Sequence, residues 1–169
     1  IELHHPDKNQ CYQIHRLDRA TEGLMIVAHK KAIASQFIEM FAQRHIQKTY
    51  RANIWGHPDA DNWSCYEPVD GKDAISHFQC LHRAYLSESP ASLIEIKIET
   101  GRKHQIRRHL SEHQFPIIGD RLHGDKHLNK LINLDLQLCA YQLEFLCPIN
   151  QNKLKVNLKD FAIDLRELA

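Results

Sequence analysis

Three short segments of this 169-residue chain concentrate the polar groups with which a protein could do chemistry. In His15-Arg16-Leu17-Asp18-Arg19-Ala20-Thr21-Glu22-Gly23 a carboxylate stands between two arginines, immediately before an apolar run. Asp18 is therefore a candidate reacting group, and its bland alternative is a turn or helix-capping residue. In Lys48-Thr49-Tyr50-Arg51-Ala52 the alternate residues Lys48, Tyr50 and Ala52 share one face of a strand, so a cation frames an aromatic ring. A half-buried strand tyrosine would look the same. The third segment runs from Thr100 to Leu110 (TGRKHQIRRHL). On a helix, Lys103 and Arg107 project to one side while Ile106 and Leu110 anchor another, which presents a cation to a cleft from a rigid mount. The alternative here is a basic surface helix. Histidine adds a rival chemistry, because His109 with His113 and His123 with His127 stand four apart, a spacing that can seat a metal on one helix face. Neither pair carries the glutamate of H-E-x-x-H, and Gly124 weakens a helix at the second, so no metal ligand is assigned.

The elements that must position these groups follow from periodicity. Gly23 to His29 suits a buried strand, and Lys31 to Arg44, with Ile33, Phe37, Ile38 and Phe41, suits an amphipathic helix. Lys48 to Trp55, Ile75 to Leu86 and Ser92 to Glu99 have strand composition; in the last, Ile94, Ile96 and Ile98 alternate with Leu93, Glu95, Lys97 and Glu99, which predicts one buried and one wet face. Thr100-Gly101 breaks that strand and Arg102 to Glu112 reads as a helix. A loop with Gly119 and Gly124, a helical turn near Leu128 to Ile132, strands near Gln137 to Leu146 and Lys153 to Leu158, and a short carboxy-terminal helix complete the chain. Strands outnumber helices and come in neighbouring pairs, so the fold class is α+β, with a mixed, mainly antiparallel sheet flanked by helices.

Composition sets the outer limits. Hydrophobic residues at 43% and charged residues at 25% describe a soluble globular protein, and the length fits a single domain over residues 1–169. No apolar run approaches the roughly 20 residues of a membrane span, and the start resembles neither a signal peptide nor an initiator sequence. Five scattered cysteines with no C-x-x-C pair point to a reducing, cytoplasmic setting rather than a disulfide framework. The formal charge of +1 is too balanced to announce a nucleic-acid partner. Its distribution is more telling, since Gly101 to Lys130 carries seven basic residues against three acidic ones. That stretch is a candidate phosphate-binding surface.

Taken together, the three segments resemble the motifs of the RluA-type pseudouridine synthases, H-R-L-D-x-x-T-S-G, K-x-Y and T-G-R-x-H-Q-I/L-R-x-H-L, in that order. The resemblance extends through Pro116-Ile117-Ile118-Gly119-Asp120, the turn His123-Gly124-Asp125, and Leu138 to Phe145 leading into Pro148. Glu22 replaces the usual Ser, Cys139 the usual His, and His123 a common Tyr. No N-K-P-x-G segment precedes His15, so the resemblance implies a pseudouridine synthase catalytic fold whose amino-terminal strands are missing. Within the family, TGRKHQIRRHL followed by FPIIGDRLHGDKHLNK is most similar to the branch that modifies an acceptor-stem uridine of transfer RNA, uridine-65. Ribosomal RNA is the alternative substrate, and a non-catalytic RNA-binding module is the alternative of another class.

The resemblance implies an isomerase that breaks the N1–C1′ bond of a uridine and rejoins the uracil through C5. No cofactor and no obligate protein partner are expected. It implies that Asp18 attacks C1′ or removes the C2′ proton, that Arg107 pairs with Asp18, and that Tyr50 packs on uracil and moves the C5 proton with help from Lys48 or another cation. Arg16 would fill the space left by a flipped base. Arg19, Lys48, Arg102, Lys103, His104, Gln105, Arg108 and Lys126 would complete the RNA-binding surface.

Overall fold

The computed structural model describes residues 11–159. Its centre is built from the alternation seen in the sequence: Ile94 and Ile96 project from β7 (Ser89–Ile98) beside Ala52 and Ile54 of β4 (Gln47–Trp55), all four fully buried. Burying each of the three isoleucines contributes about 1.5–3 kcal/mol. Onto this face packs a helix, α2 (Gln105–Glu112), through Ile106 and Leu110, the two aliphatics whose spacing had singled them out. Tyr50 and Ile98 lie at the margin of the same cluster, so the hydrophobic core ends where the polar site begins.

The main sheet runs β2 (Glu22–Gly23), β8 (Leu138–Leu146), β4, β7, β6 (Ser76–Leu86), β5 (Asn62–Cys65), and β9 (Lys153–Asn157) also pairs with β8. All its pairings are antiparallel except β2 with β8. The α+β class with a mainly antiparallel sheet therefore holds. A separate two-stranded ribbon joins β1 (Tyr12–Gln13) to β3 (Val27–Ala28). The single strand expected over 23–29 is thus two short strands in different sheets, divided at Leu24, which turns its side chain into the core. β2 can lie against β8 because Gly23 has no side chain: a Cβ there would stand 2.4 Å from the Ala140 carbonyl oxygen.

The other helix, α1 (Lys31–Ala42), buries Ala34 and Phe37, and Phe37 meets Phe145 of β8 edge to face at 5.5 Å. β6 and β7 join through a two-residue turn, Ser87-Glu88, with both residues at positive φ. Register shifts occur between Thr49 and Tyr50 against β8, where Tyr141 is the extra residue, and between Cys80 and His82 against β7. The helical turn near Leu128 is a 3-10 turn over Leu128–Lys130. The expected carboxy-terminal helix lies outside the described residues.

Candidate active site

Asp18 sits in the loop between β1 and β2, where the Thr21 N–H bonds to the Asp18 carbonyl at 2.9 Å and tightens the turn. The loop, the amino-terminal half of β4 and the start of α2 contribute walls to a cavity of about 520 Å³. Its walls include Asp18, Tyr50 and Arg107, together with Arg16, Arg19, Arg102, Lys103, His104 and Gln105. Lys48 lines the adjoining cavity instead, while Lys126 is exposed on a turn outside both. Arg108 is paired with Asp70 at 2.7 Å on the protein surface.

The expected pairing of Arg107 with Asp18 is present only as a long contact, 3.9 Å from Nη1 to Oδ2. The guanidinium is instead held by Asp120, its Nε donating to Oδ2 and its Nη2 to Oδ1, both at 2.7 Å. This two-point grip is buried, with side-chain exposures of 9% and 1%. Burial pushes the Asp120 carboxyl up, but hydrogen bonds from Arg107 and from the N–H groups of His123 and Leu122 outweigh it and hold the group below its ordinary value. The hydrogen bond to Asp120 likewise raises Arg107. Asp120 is aimed by Gly119, at φ 75, where a Cβ would stand 2.1 Å from the Asp135 carbonyl oxygen. Sequence reasoning passed over Asp120 as a site residue, although the Gly-Asp pair after Pro116 was visible.

A second contact to Asp18 comes from His104, whose Nε2 lies 3.9 Å from Oδ1. Its Nδ1 is 2.9 Å from Nε2 of His123. Burial lowers the His123 pKa, with Arg107, His104 and Arg108 adding to the effect against Asp120. If His104 were neutral and gave its only hydrogen to His123, a lone pair would face the Asp18 carboxylate, which charge disfavours. A hydrogen on His104 Nε2 would instead face the carboxylate across 3.9 Å, longer than a direct hydrogen bond.

The α2 segment differs from expectation at its start. His104 adopts a left-handed conformation (φ 55, ψ 24), so the helix opens at Gln105 rather than Arg102, and Lys103 lies in the turn before it. Lys103 and Arg107 therefore do not form a helical pair. Gln105, expected to touch RNA, is 3% exposed and fully engaged: its Oε1 accepts from Thr100 Oγ1 and the Arg102 N–H, and its Nε2 donates to Ile75 O and Ser76 Oγ. It fastens the loop to β6. The Ser76 hydroxyl passes the chain on to His109 Nδ1, and His109 Nε2 donates to Glu67 O. Both nitrogens of the first histidine considered as a metal ligand are thus used for packing. Among the described residues no group of three or more His, Cys, Asp or Glu side chains could hold a metal ion.

Tyr50 also departs from expectation. Burial, and next the Asp18 charge, push its phenol up to about 12. No cation offsets this rise, and Lys48 is itself lowered by burial and by Arg44. At neutral pH Tyr50 is a hydrogen-bond donor with its proton in place.

A family model described as RNA pseudouridylate synthase matches residues 2–112, more than half of the chain. The chain belongs to this family. It is an RNA pseudouridine synthase, an isomerase whose substrate is RNA. Among curated proteins it is 32% identical over 173 residues to the tRNA pseudouridine synthase C of Vibrio vulnificus, covering 86% of this chain and 70% of that one. It is likewise 32% identical over 171 residues to the protein of the same name from Vibrio parahaemolyticus, covering 85% and 69%. Among solved structures, human RNA pseudouridylate synthase domain containing 1 superposes with a TM-score of 0.79 at 25% identity, over 89% of this chain and 69% of that one. Among the described residues, no helix of this RNA pseudouridine synthase is long and apolar enough to cross a membrane.

Proposed function

We propose that this RNA pseudouridine synthase acts on transfer RNA, at the acceptor-stem uridine-65, with Asp18 as the reacting carboxylate. The observation that carries the site assignment is the convergence of Asp18, Tyr50 and Arg107 on one cavity. The transfer-RNA reading is supported by the names of the relatives that match over about 70% of their length.

The uridine leaves its stack at a cost of a few kcal/mol and enters the cavity, and Arg16 takes the vacated place. Asp18 either attacks C1′ or takes the C2′ proton; in both cases the N1–C1′ bond breaks with its electrons on uracil. His104 and Arg107 stand 3.9 Å from the two oxygens of Asp18, close enough to orient the carboxylate and far enough to leave it reactive. The uracil rotates and C5 bonds to C1′ as the Asp18–C1′ bond breaks or, on the other route, as Asp18 returns the proton to C2′. The C5 proton passes to solvent water, which returns one to N1. With its proton in place, Tyr50 supports this exchange as a hydrogen-bond donor beside the ring.

Asp18→Asn keeps the shape and removes the charge. Its turnover, read by release of tritium from C5-labelled uridine in transfer-RNA transcripts, should fall more than 100-fold with RNA affinity within a few-fold, a barrier increase of at least about 2.7 kcal/mol. Residual turnover above about 1% would refute the assignment of Asp18. Mapping of pseudouridine in treated transcripts tests the substrate: modification of ribosomal rather than transfer RNA would refute the transfer-RNA reading and leave the chemistry intact.

A further inference from the structure

Helix α1 ends with the His45 N–H bonded to Met40 O at 2.9 Å and the Arg44 N–H bonded to Phe41 O at 3.2 Å. These are the two hydrogen bonds of a Schellman motif, whose left-handed position favours glycine. The residue there is Arg44, at φ 60. Gln114 holds the matching position after α2, at φ 67, so it is the surroundings of the Arg44 side chain rather than its backbone that indicate a task.

Arg44 lines a cavity of about 600 Å³ with Lys48, Arg16, His15 and Arg102. This cavity adjoins the one that holds Asp18, and Arg16, Tyr50 and Arg102 border both. Among the described residues, no carboxylate lies within 4.0 Å of the charged groups of Arg16, Arg44 or Lys48. The carboxylate that lines the cavity, Glu99, is bonded to His77 at 2.9 Å. His15 adds no charge to neutralise, because its Nε2 accepts the Ile26 N–H at 2.9 Å and its pKa is lowered by burial and by Lys48. Burial and the neighbouring Arg44 charge also lower Lys48. Cations assembled from a loop, a helix end and a strand, with no carboxylate of the described residues within 4.0 Å of their charged groups, attract an anion that comes to lie between them.

We propose that Arg44 and Lys48, with Arg16 at the junction, form a phosphate subsite that holds a phosphodiester adjoining the uridine in the catalytic cavity. The RNA strand then runs from Asp18 past Tyr50 to the carboxy-terminal end of α1. The proposal rests on the Asp18 cavity being the uridine site.

The test compares wild type, Arg44→Gly and Lys48→Met on a transfer-RNA acceptor stem-loop transcript, and on the same RNA with a neutral methylphosphonate at each linkage flanking the uridine. Arg44→Gly relieves the backbone, so it should melt at a higher temperature than wild type while binding RNA about three- to tenfold more weakly. The slope of log K against log salt should fall by about one phosphate contact, and kcat should stay within twofold. One flanking methylphosphonate should weaken wild type by a similar factor and leave Arg44→Gly and Lys48→Met unaffected. Unchanged affinity and salt slope in Arg44→Gly, or an equal methylphosphonate effect in all three proteins, would overturn the proposal. So would a wild type indifferent to methylphosphonate but displaced by inorganic phosphate, which would assign the cluster to a free anion. Arg44-dependent binding in a wild type that leaves the uridine unmodified would retain a phosphate subsite and refute the catalytic reading alone.

Discussion

Replacing Asp120 with asparagine separates the two tasks that its contact with Arg107 performs. Asparagine keeps one oxygen for the Leu122 and His123 N–H groups, at 2.9 and 3.0 Å, but loses the charge and one of the two acceptors facing the guanidinium. Breaking one partner of a buried pair costs about 3–5 kcal/mol, and the retained backbone bonds put the expected loss in stability near 3 kcal/mol. The second effect concerns the reaction. A released guanidinium has Asp18 within reach, 3.9 Å from Nη1. Closing that gap to about 2.8 Å at an effective dielectric of ~20 deepens the attraction by roughly 1.7 kcal/mol. That attraction is given up when the carboxylate charge passes into a bond to carbon or hydrogen, so kcat should fall roughly 20-fold with KM little changed. Urea unfolding reads the first effect and tritium release the second. A kcat within twofold of wild type, alongside the stability loss, would show that Asp120 serves folding only; an unchanged unfolding midpoint would contradict the buried pair itself. There is also a pH signature. Asp120 is held below its ordinary 3.8, so its contribution is fully present above that value and is lost as pH falls through the lower folded-state value. Asp120→Asn should therefore flatten the acid arm of the stability profile.

Tyr50→Phe should reduce kcat at least tenfold while KM changes less than threefold, because the ring remains and the hydroxyl is lost; equal losses in both would mark a structural tyrosine. Since the phenol is raised from 10.0 to about 12, wild type should lose roughly 2–3 kcal/mol of stability as pH rises through that window, and Tyr50→Phe should not, as denaturant titrations at high pH would read. His123→Phe removes the partner of His104 Nδ1 and should lower kcat several-fold at constant RNA affinity. His123→Tyr, whose hydroxyl can donate in its place, should recover most of it, and equal activity in all three would exclude a role for the histidine pair. Gly119→Ala forces a Cβ to within 2.1 Å of a carbonyl oxygen at positive φ, and should cost more than about 2 kcal/mol in thermal or urea unfolding.

The parts of the site that were legible in the sequence were those whose signal is local. Ile106 and Leu110 four apart, and Ile94 and Ile96 in alternation, identified the helix and the strand beneath it because burial imposes those periods. What escaped was non-local. Arg107 meets a carboxylate thirteen positions along, on a loop whose path periodicity does not describe, and the family resemblance implies a pairing with Asp18 instead. The start of β7 was placed three residues late because the turn before it is Ser87-Glu88, with neither glycine nor asparagine to mark the positive φ angles. β5 and the two-residue strands are too short to show alternation at all.

The loop that carries Asp18 rejoins the main sheet through β2, which pairs with β8 at Glu22 and Gly23 alone, whereas Tyr50 belongs to a nine-residue strand paired on both sides. The two halves of the site thus rest on supports of very different protection. Amide hydrogens around Asp18 should therefore exchange faster than those of β4, and equal protection of the two would contradict this difference in support. Under the proposed function, opening of the two-residue clasp between β2 and β8 would move the Asp18 wall of the cavity while Tyr50 kept its place.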